Sequence, residues 1–278
     1  MTPPSQAGYD DLVRVWREAD GVPEIEHAWL YDHLMPVFGD PGGPTSEGWT
    51  PLAALAARMR LGVMVTGNWL RPPAVLAKIA TTVDIVSGGR LDFGIGVGSR
   101  PRPPEAWREY AAHGLPFQET ARAVASLAEA RTLIKRLRTE ERPFGFHGEH
   151  HRLTGAFGHP KPVRRPHPPV LVGGRSSVTL RVAAEHADLW DVPGGDLDDV
   201  LRRSALLGRY CAGIGRDPAS LVRSLHLLVD TGRPDAVREA VGEALGAGFT
   251  HIVPGLPAPF PEGIARWVAE EVIRPSVR

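Results

Sequence analysis

Residues 60–98, RLGVMVTGNWLRPPAVLAKIATTVDIVSGGRLDFGIGVG, hold two apolar segments on either side of a helical one. LGVMVTGN (61–68) is apolar and β-branched, and RLDFGIGVGS (90–99) is apolar with glycines at alternate positions. PAVLAKIATTVDIVS (73–87) has helical spacing and ends at two glycines, the residue type that commonly terminates a helix. This stretch therefore predicts strand, helix and strand in succession, which is the unit of a parallel sheet.

The same alternation continues on both sides of this stretch. Further apolar segments predict strands at residues 26–34, 168–174, 188–195, 221–230 and 249–256. Further helical patterns lie at residues 8–20, 50–58, 117–138, 177–187, 198–215, 233–248 and 261–275. Seven strands alternating with eight helices predict an α/β fold close to a (β/α)8 TIM barrel, as a single domain over residues 1–278.

Two parts of the chain depart from a regular barrel. The first helix has no strand before it, so the first strand is expected to be missing, with either a gap in the barrel or a misassigned start. Residues 99–167 are too long for a simple connection between a strand and a helix, and they predict an insertion over the C-terminal face of the barrel.

Composition narrows the class of protein. The 32 Lys and Arg residues balance the 32 Asp and Glu residues, which gives no electrostatic signature of nucleic acid binding. Cys211 is the only cysteine, so no disulfide can form within the chain. No apolar stretch reaches the length of a membrane span, and the first residues do not resemble a secretory signal. We expect a cytoplasmic protein that binds neither nucleic acid nor membrane.

Polar residues cluster where the predicted strands end, which is where a barrel carries its active site. They are Asp32 and His33, residues 66–68, residues 96–99, residues 173–177 and Asp191. Each cluster also has a structural interpretation. Asp32 and His33 could simply form a turn, and GGRSS (173–177) could be either a helix cap or an anion site. The glycines of GIGVG could thin the barrel wall or let a flat ring approach the backbone.

The histidines at 147, 150 and 151 could suggest a metal cluster in FHGEHHRL. They lie in the predicted insertion and have no matching pattern of carboxylates, so we assign no metal site.

Together, several of these stretches resemble the luciferase-like monooxygenase superfamily, the bacterial luciferase-type flavin and deazaflavin oxidoreductases. The similar segments are LYDHLMP (30–36), residues 60–98, HGLPF (113–117), PKPVRRPHPPVLVGG (160–174) and LRVAAEHADLWD (180–191). The resemblance implies a (β/α)8 barrel, a small-molecule substrate and a flavin-type cofactor. The paired Asp and His followed by VTGN are most similar to members that use coenzyme F420, a deazaflavin, while other members use FMN. We also expect a homodimer.

The resemblance implies a role for each matching residue. His33 would lie near the hydride-carrying face of the cofactor ring as an acid or base, with Asp32 at the ring edge or on a backbone group. Met64 and Val65 would form a bulge behind the ring, joined in many members by a cis peptide bond. The other implied cofactor contacts are Thr66 and Asn68 at the ring edge, Val97 and Gly98 beside the ring, and Gly173, Gly174 and Ser176 at the phosphate.

One departure bears on the chemistry. Some deazaflavin enzymes have a glutamate proton donor directly after the glycines of the fourth strand, where this chain has Ser99 and Arg100. The expected function is hydride transfer between coenzyme F420 and an organic substrate. The alternatives are an FMN-dependent monooxygenase and a barrel that binds flavin without turnover.

Overall fold

A curled parallel sheet forms the centre of the computed structural model, which describes residues 1–3, 7–36, 43–56, 59–98, 104–257 and 260–277. Seven strands pair in parallel in chain order, and a two-residue strand pairs beside them. The strands are β1 (His27–Leu30), β2 (Arg60–Val63), β3 (Thr66–Gly67), β4 (Leu91–Gly96), β5 (Phe144–His147), β6 (Arg152–Ala156), β7 (Val170–Gly173), β8 (Leu189–Pro193), β9 (Val222–Leu228) and β10 (His251–Gly255). Strands β5 and β6 form a separate antiparallel hairpin.

Helices alternate with the strands of the main sheet. They are α1 (Tyr9–Asp20), α2 (Trp49–Ala54), α3 (Pro73–Val86), α4 (Pro104–Ala112), α5 (Thr120–Thr139), α6 (Ser177–His186), α7 (Leu197–Gly213), α8 (Pro234–Gly246), α9 (Ile264–Trp267) and α10 (Arg274–Ser276). A π-helical segment, Val268–Ile273, joins the last two. None of the helices that the structure describes is long and apolar enough to cross a membrane.

The apolar composition of the strands follows from burial on both faces of the sheet. All six residues of β4 are buried, as expected for a parallel strand with side chains in the barrel interior on one face and helices against the other. The interior contains its own apolar cluster, formed by Trp29, Met64, Leu171, Leu189 and Val253. A larger core lies between the sheet and the surrounding helices. The predicted α/β barrel is thus confirmed.

Among the residues that the structure describes, Met1 and Thr2 occupy the place of the first strand. Thr2 forms a parallel bridge to Gly255, and the Thr2 amide donates to the Pro254 carbonyl oxygen at 2.9 Å. On the other side the Trp29 amide donates to the Met1 carbonyl oxygen at 2.9 Å. Met1 and Thr2 therefore connect β10 to β1 by backbone hydrogen bonds, at a place where the sequence analysis predicted no strand. Residues 4–6 lie outside the described part of the chain.

The segment predicted as an insertion has three parts. Helix α5 packs between α3 and α6 on the outside of the barrel, so it is a regular helix of the barrel wall. Helix α4 and the β5–β6 hairpin are the additions, and the sequence analysis predicted neither. Helix α4 reaches the C-terminal face of the barrel, where it contributes Glu109 and Tyr110 to a cavity.

Candidate active site

A cavity of about 470 Å³ opens at the carboxyl ends of the strands. It brings together most of the residues that the sequence analysis selected: Asp32, His33, Met64, Val65, Val97, Gly98, Gly173, Gly174 and Ser176. Tyr31, Glu109, Tyr110, Asp191 and His226 also line it. The two other selected residues, Thr66 and Asn68, are buried and do not line this cavity.

The floor of the cavity is a bulge between β2 and β3. The peptide bond between Met64 and Val65 is cis, as the resemblance implied. The Val65 side chain packs so closely on β4 and β7 that a Cβ added at Gly96 or Gly173 would lie 2.8 or 2.9 Å from its methyl groups. A Cβ at Gly94 would meet the Val63 carbonyl oxygen. The glycines at 94, 96 and 173 therefore make room for the bulge, and the cavity lies above it.

The carboxylate of Asp32 is held by the protein itself. It forms a bidentate ion pair with Arg71, with Nη1 2.6 Å from Oδ2 and Nη2 2.9 Å from Oδ1. It also accepts hydrogen bonds from the Gly48 amide at 3.3 Å and from the Thr66 hydroxyl. Arg71 continues the network to Glu47. Asp32 thus ties the end of β1 to β3 and to the start of α2. Its contacts include the one with a backbone group that was expected as one alternative, while the residue also lines the cavity.

Thr66 and Asn68 connect the barrel to its neighbouring elements. The Thr66 hydroxyl accepts a hydrogen bond from Trp49 Nε1 at 3.2 Å. Asn68 Nδ2 donates to Ser126 Oγ on α5 at 3.0 Å, and the same hydroxyl lies 2.9 Å from His151 Nε2 in the hairpin. Thr66 thus contacts α2 and Asn68 contacts α5, and neither lines the cavity.

The histidine-rich turn of the hairpin is held by Glu129. Its carboxylate accepts hydrogen bonds from three successive backbone amides, those of residues 149, 150 and 151, at 2.7 to 3.1 Å. These backbone contacts hold the pKa of Glu129 below its usual value, although partial burial opposes them. Within the described residues, no three His, Cys, Asp or Glu side chains are grouped to hold a metal.

His33 is paired with a carboxylate that the sequence analysis missed. Its Nδ1 lies 3.2 Å from both carboxylate oxygens of Glu109, and the Leu34 amide donates to Glu109 Oε1 at 2.5 Å. Glu109 is 2% exposed, and it comes from α4. The sequence analysis looked for an acid directly after Gly98, at positions 99 and 100, which lie outside the described residues. Glu109 lies ten residues beyond position 99. It reaches His33 because α4 folds back over the strand ends, which no local sequence motif reveals.

The loop between β7 and α6 has the features of an anion site. Gly174 has a φ of +135°, a conformation that favours glycine. Ser176 caps the helix, since its Oγ accepts a hydrogen bond from the Thr179 amide at 3.1 Å. The Gly174 amide and carbonyl are both bonded to β8. An anion at this loop would therefore interact with the remaining amides of the first helical turn and with the partial positive charge of the helix N-terminus.

Three further polar groups line the cavity: Tyr31, Asp191 and His226. Burial raises the pKa of Asp191 to about 7, although a hydrogen bond donated by Ser224 partly offsets this. Burial lowers the pKa of His226 to about 4, so its ring is neutral, and it lies 3.0 Å from the Tyr31 hydroxyl. The sequence analysis noted Asp191 at a strand end and gave it no role, because a lone acid carries no sign of its burial.

Known proteins resemble this chain in sequence. The chain is 31% identical over 225 residues to an uncharacterized protein of Mycobacterium tuberculosis, covering 80% of this chain and 72% of that protein. It is 36% identical over 158 residues to the F420-dependent glucose-6-phosphate dehydrogenase of Kineococcus radiotolerans, covering 56% and 44%. It is 27% identical over 226 residues to the FMNH(2)-dependent dimethylsulfone monooxygenase of Pseudomonas putida, covering 77% and 59%.

Solved structures share the fold over nearly the whole chain. An F420-dependent secondary alcohol dehydrogenase in complex with an F420-acetone adduct superposes with a TM-score of 0.83 at 17% identity, covering 100% of this chain and 99% of that one. The coenzyme F420 dependent tetrahydromethanopterin reductase from Methanopyrus kandleri gives 0.80 at 17% identity, covering 98% and 97%. The family model of the luciferase-like monooxygenases matches residues 2–270. The chain therefore belongs to the luciferase-like monooxygenase family.

Proposed function

We propose that this protein transfers a hydride between coenzyme F420 and an organic substrate that carries a hydroxyl or carbonyl group. The observation that carries the proposal is the pair formed by His33 and Glu109 at the cavity, with 3.2 Å between Nδ1 and each carboxylate oxygen. Hydride transfer to or from a carbon–oxygen bond needs a proton to move at the oxygen, and a carboxylate-oriented imidazole is suited to moving it.

The cavity fits a flat ring with an anionic tail. Its volume of about 470 Å³ lies within the range of about 300–1,000 Å³ usual for ligand sites. Val65 supplies an apolar floor, and Gly174 and Ser176 place a helix N-terminus at the edge of the cavity. We assign the ring to the floor and the phosphate to this loop. Relatives that use F420 and one that uses FMN support a flavin-type cofactor of either kind.

When bound, the deazaflavin would supply a two-electron hydride donor or acceptor. His33 would act on the substrate through Nε2, because its Nδ1 faces Glu109. In alcohol oxidation Nε2 takes the hydroxyl proton, and in the reverse direction it returns the proton to the carbonyl oxygen. Glu109 holds the ring in place and stabilises the imidazolium that forms. Helix α4 carries Glu109 to the cavity and covers the site on that side.

The first test is cofactor binding by the purified protein. We expect coenzyme F420 to bind and FMN to bind at least about tenfold more weakly, a difference of about 1.4 kcal/mol. The measurement is a fluorescence titration of each cofactor. Tight binding of FMN together with oxygen consumption would instead indicate an FMN-dependent monooxygenase. Binding of neither cofactor would contradict the proposal and favour a barrel without this activity.

The second test separates the acid–base pair from the cofactor site. His33→Asn removes the titrating ring, so we expect turnover of F420 with a panel of alcohols to fall about 10²- to 10⁴-fold. Glu109→Gln should lower turnover in the same way, because a neutral amide stabilises the imidazolium less. Cofactor affinity should change little in both variants.

The matched controls are His147→Asn and Glu119→Gln, which change exposed residues of the same types. Both controls should keep the turnover of the unaltered protein. If His33→Asn retains turnover within a few-fold, the imidazole has only a packing role and the proposed chemistry is wrong.

A further inference from the structure

Three polar side chains form one row across the last three strands of the barrel. Asp191 on β8 is the register partner of Ser224 on β9, and Ser224 is the register partner of His251 on β10. Register partners on adjacent parallel strands point to the same side of a sheet. Ser224 Oγ donates to Asp191 Oδ1 at 2.7 Å and lies 2.8 Å from His251 Nδ1. The row is therefore a continuous hydrogen-bonded chain.

The two ends of this row reach two different cavities. Asp191 lines the cavity that holds His33 and Glu109. His251 lines a second cavity, of about 300 Å³, at the opposite end of the barrel beside Glu26, His27 and Thr250. The strands of a barrel are tilted against its axis, so a row of register partners descends from one end toward the other. This tilt explains how three neighbouring residues span the interior.

We propose that Asp191, Ser224 and His251 form a proton path through the barrel interior, which exchanges protons between the active-site cavity and the second cavity. The proposal rests on the hydride transfer proposed above, since each such transfer takes up or releases a proton. It gives the site a proton route that remains open while cofactor and substrate cover the mouth of the cavity.

Each transfer moves one proton along the path. The protonated carboxyl of Asp191 gives its proton to Ser224 Oγ, while the Ser224 hydroxyl gives its own proton to Nδ1 of a neutral His251. Asp191 is left as a carboxylate, Ser224 is unchanged, and His251 is an imidazolium. His251 then releases the proton on Nε2 to water in the second cavity. In the observed arrangement the hydroxyl donates to Asp191, so for this transfer it turns to donate to His251 Nδ1, and Ser224 acts as a relay.

The surroundings of the path favour a proton that rests on Asp191 between transfers and occupies His251 only briefly. Burial raises the pKa of Asp191 to about 7, so the carboxyl can hold and release a proton near neutrality. Burial, with help from nearby charges, lowers the pKa of His251 to about 3, so its cation is short-lived. The other titratable or charged groups that face the path are Tyr31, His226, His27, Asp92, Arg60 and the Met1 amino group.

The test begins with the protein free of cofactor. We expect infrared spectra to show a protonated carboxyl that titrates with a midpoint near pH 7 and that disappears in Asp191→Asn. Ser224→Ala should move the midpoint to higher pH, because it removes the hydrogen bond that stabilises the carboxylate. Ser220→Ala, an exposed serine, is the matched control and should leave the midpoint unchanged. Ser224→Thr keeps the hydroxyl and should restore the midpoint.

A second measurement follows the other end of the path. In ¹⁵N-labelled protein, Asp191→Asn and Ser224→Ala should each change the Nδ1 resonance of His251 and leave that of His147 unchanged. If Ser224→Ala does not fold, Asp191→Asn decides alone. The path is wrong if Ser224→Ala leaves the titration midpoint of the carboxyl unchanged, or if Asp191→Asn leaves the Nδ1 resonance of His251 unchanged.

Measurements with cofactor and substrate then test the role of the path in turnover. We expect Ser224→Ala to keep the single-turnover rate of hydride transfer and to lower steady-state turnover at least about tenfold, with the effect reversed in Ser224→Thr. Unchanged steady-state turnover would overturn the path while leaving the proposed function intact. Absence of cofactor binding would contradict the proposed function alone, since the titrations above need no cofactor.

Discussion

Replacing Arg71 tests whether Asp32 holds the barrel end together. The Asp32 side chain is fully buried and that of Arg71 is 13% exposed. Arg71→Met keeps most of the aliphatic stem and removes the guanidinium that contacts both carboxylate oxygens. Among the described residues, the buried carboxylate would then retain the Gly48 amide and the Thr66 hydroxyl as its partners. Breaking one partner out of a buried ion pair costs about 3–5 kcal/mol, which is a large part of the roughly 5–15 kcal/mol that stabilises a protein.

The assay is urea unfolding at neutral pH, with Arg203→Met as the matched control. Arg203 pairs with Asp199 at 2.7 Å, but the two side chains are 30% and 23% exposed. Such a surface pair is worth about 0–1 kcal/mol. The double variant Asp32→Asn with Arg71→Met should recover more than about 1 kcal/mol over Arg71→Met alone, because it removes the unpaired carboxylate at position 32.

The reasoning would be refuted if Arg71→Met cost no more than Arg203→Met, or if the double variant were no more stable than Arg71→Met. A recovered double variant that still binds cofactor would show that Asp32 positions the strand ends. A recovered double variant that has lost cofactor affinity would support the ring-edge contact that the resemblance implied.

Four further predictions follow from single features. Gly174→Asp should weaken cofactor binding at least about tenfold in a fluorescence titration, whereas Gly195→Asp, with a similar positive φ, should not. Asp191 has a pKa of about 7 in the folded protein against an ordinary 3.8. The free energy of unfolding is therefore highest with respect to this group below about pH 4, and it falls by up to about 4 kcal/mol as pH rises through 7. Urea unfolding at a series of pH values should show this loss in the unaltered protein and not in Asp191→Asn. Gly94→Ala should cost about 1–3 kcal/mol of unfolding free energy through overpacking, while Gly242→Ala, with open space around it, should stabilise α8 by about 0.5–1 kcal/mol. Light scattering of the purified protein should show a homodimer.

The regular part of the fold was predictable because its signals are local. Apolar runs and helical spacing predicted the seven strands of the main sheet in order, and the structure confirms them with shorter bounds. The predicted strand over residues 61–68 is divided into β2 and β3 by the bulge at Met64 and Val65. The hairpin was missed because its residues are mostly exposed and lack the apolar alternation of a buried strand.

The site was predictable in position and less so in its contacts. Strand ends in a barrel converge, so the sequence alone could predict that most of the selected residues lie around one cavity. The pairing of Asp32 with Arg71 and of His33 with Glu109 joins residues 39 and 76 positions apart, and no spacing motif encodes either. Similarly, the glycines of GIGVG could thin the barrel wall or let a flat ring approach, and only the structure shows that the Val63 carbonyl oxygen and the Val65 side chain lie beside Gly94 and Gly96.

The origin of Glu109 on a helix outside the barrel strands has a consequence for redesign. In the proposed mechanism the imidazole and the cofactor cradle belong to the barrel, while the acid belongs to α4, the same segment that covers the mouth of the cavity. Exchanging this segment with that of a relative, to alter which molecules enter, would exchange the proton chemistry at the same time. In the proposed mechanism, therefore, α4 would determine both which molecules enter the cavity and which acid orients His33.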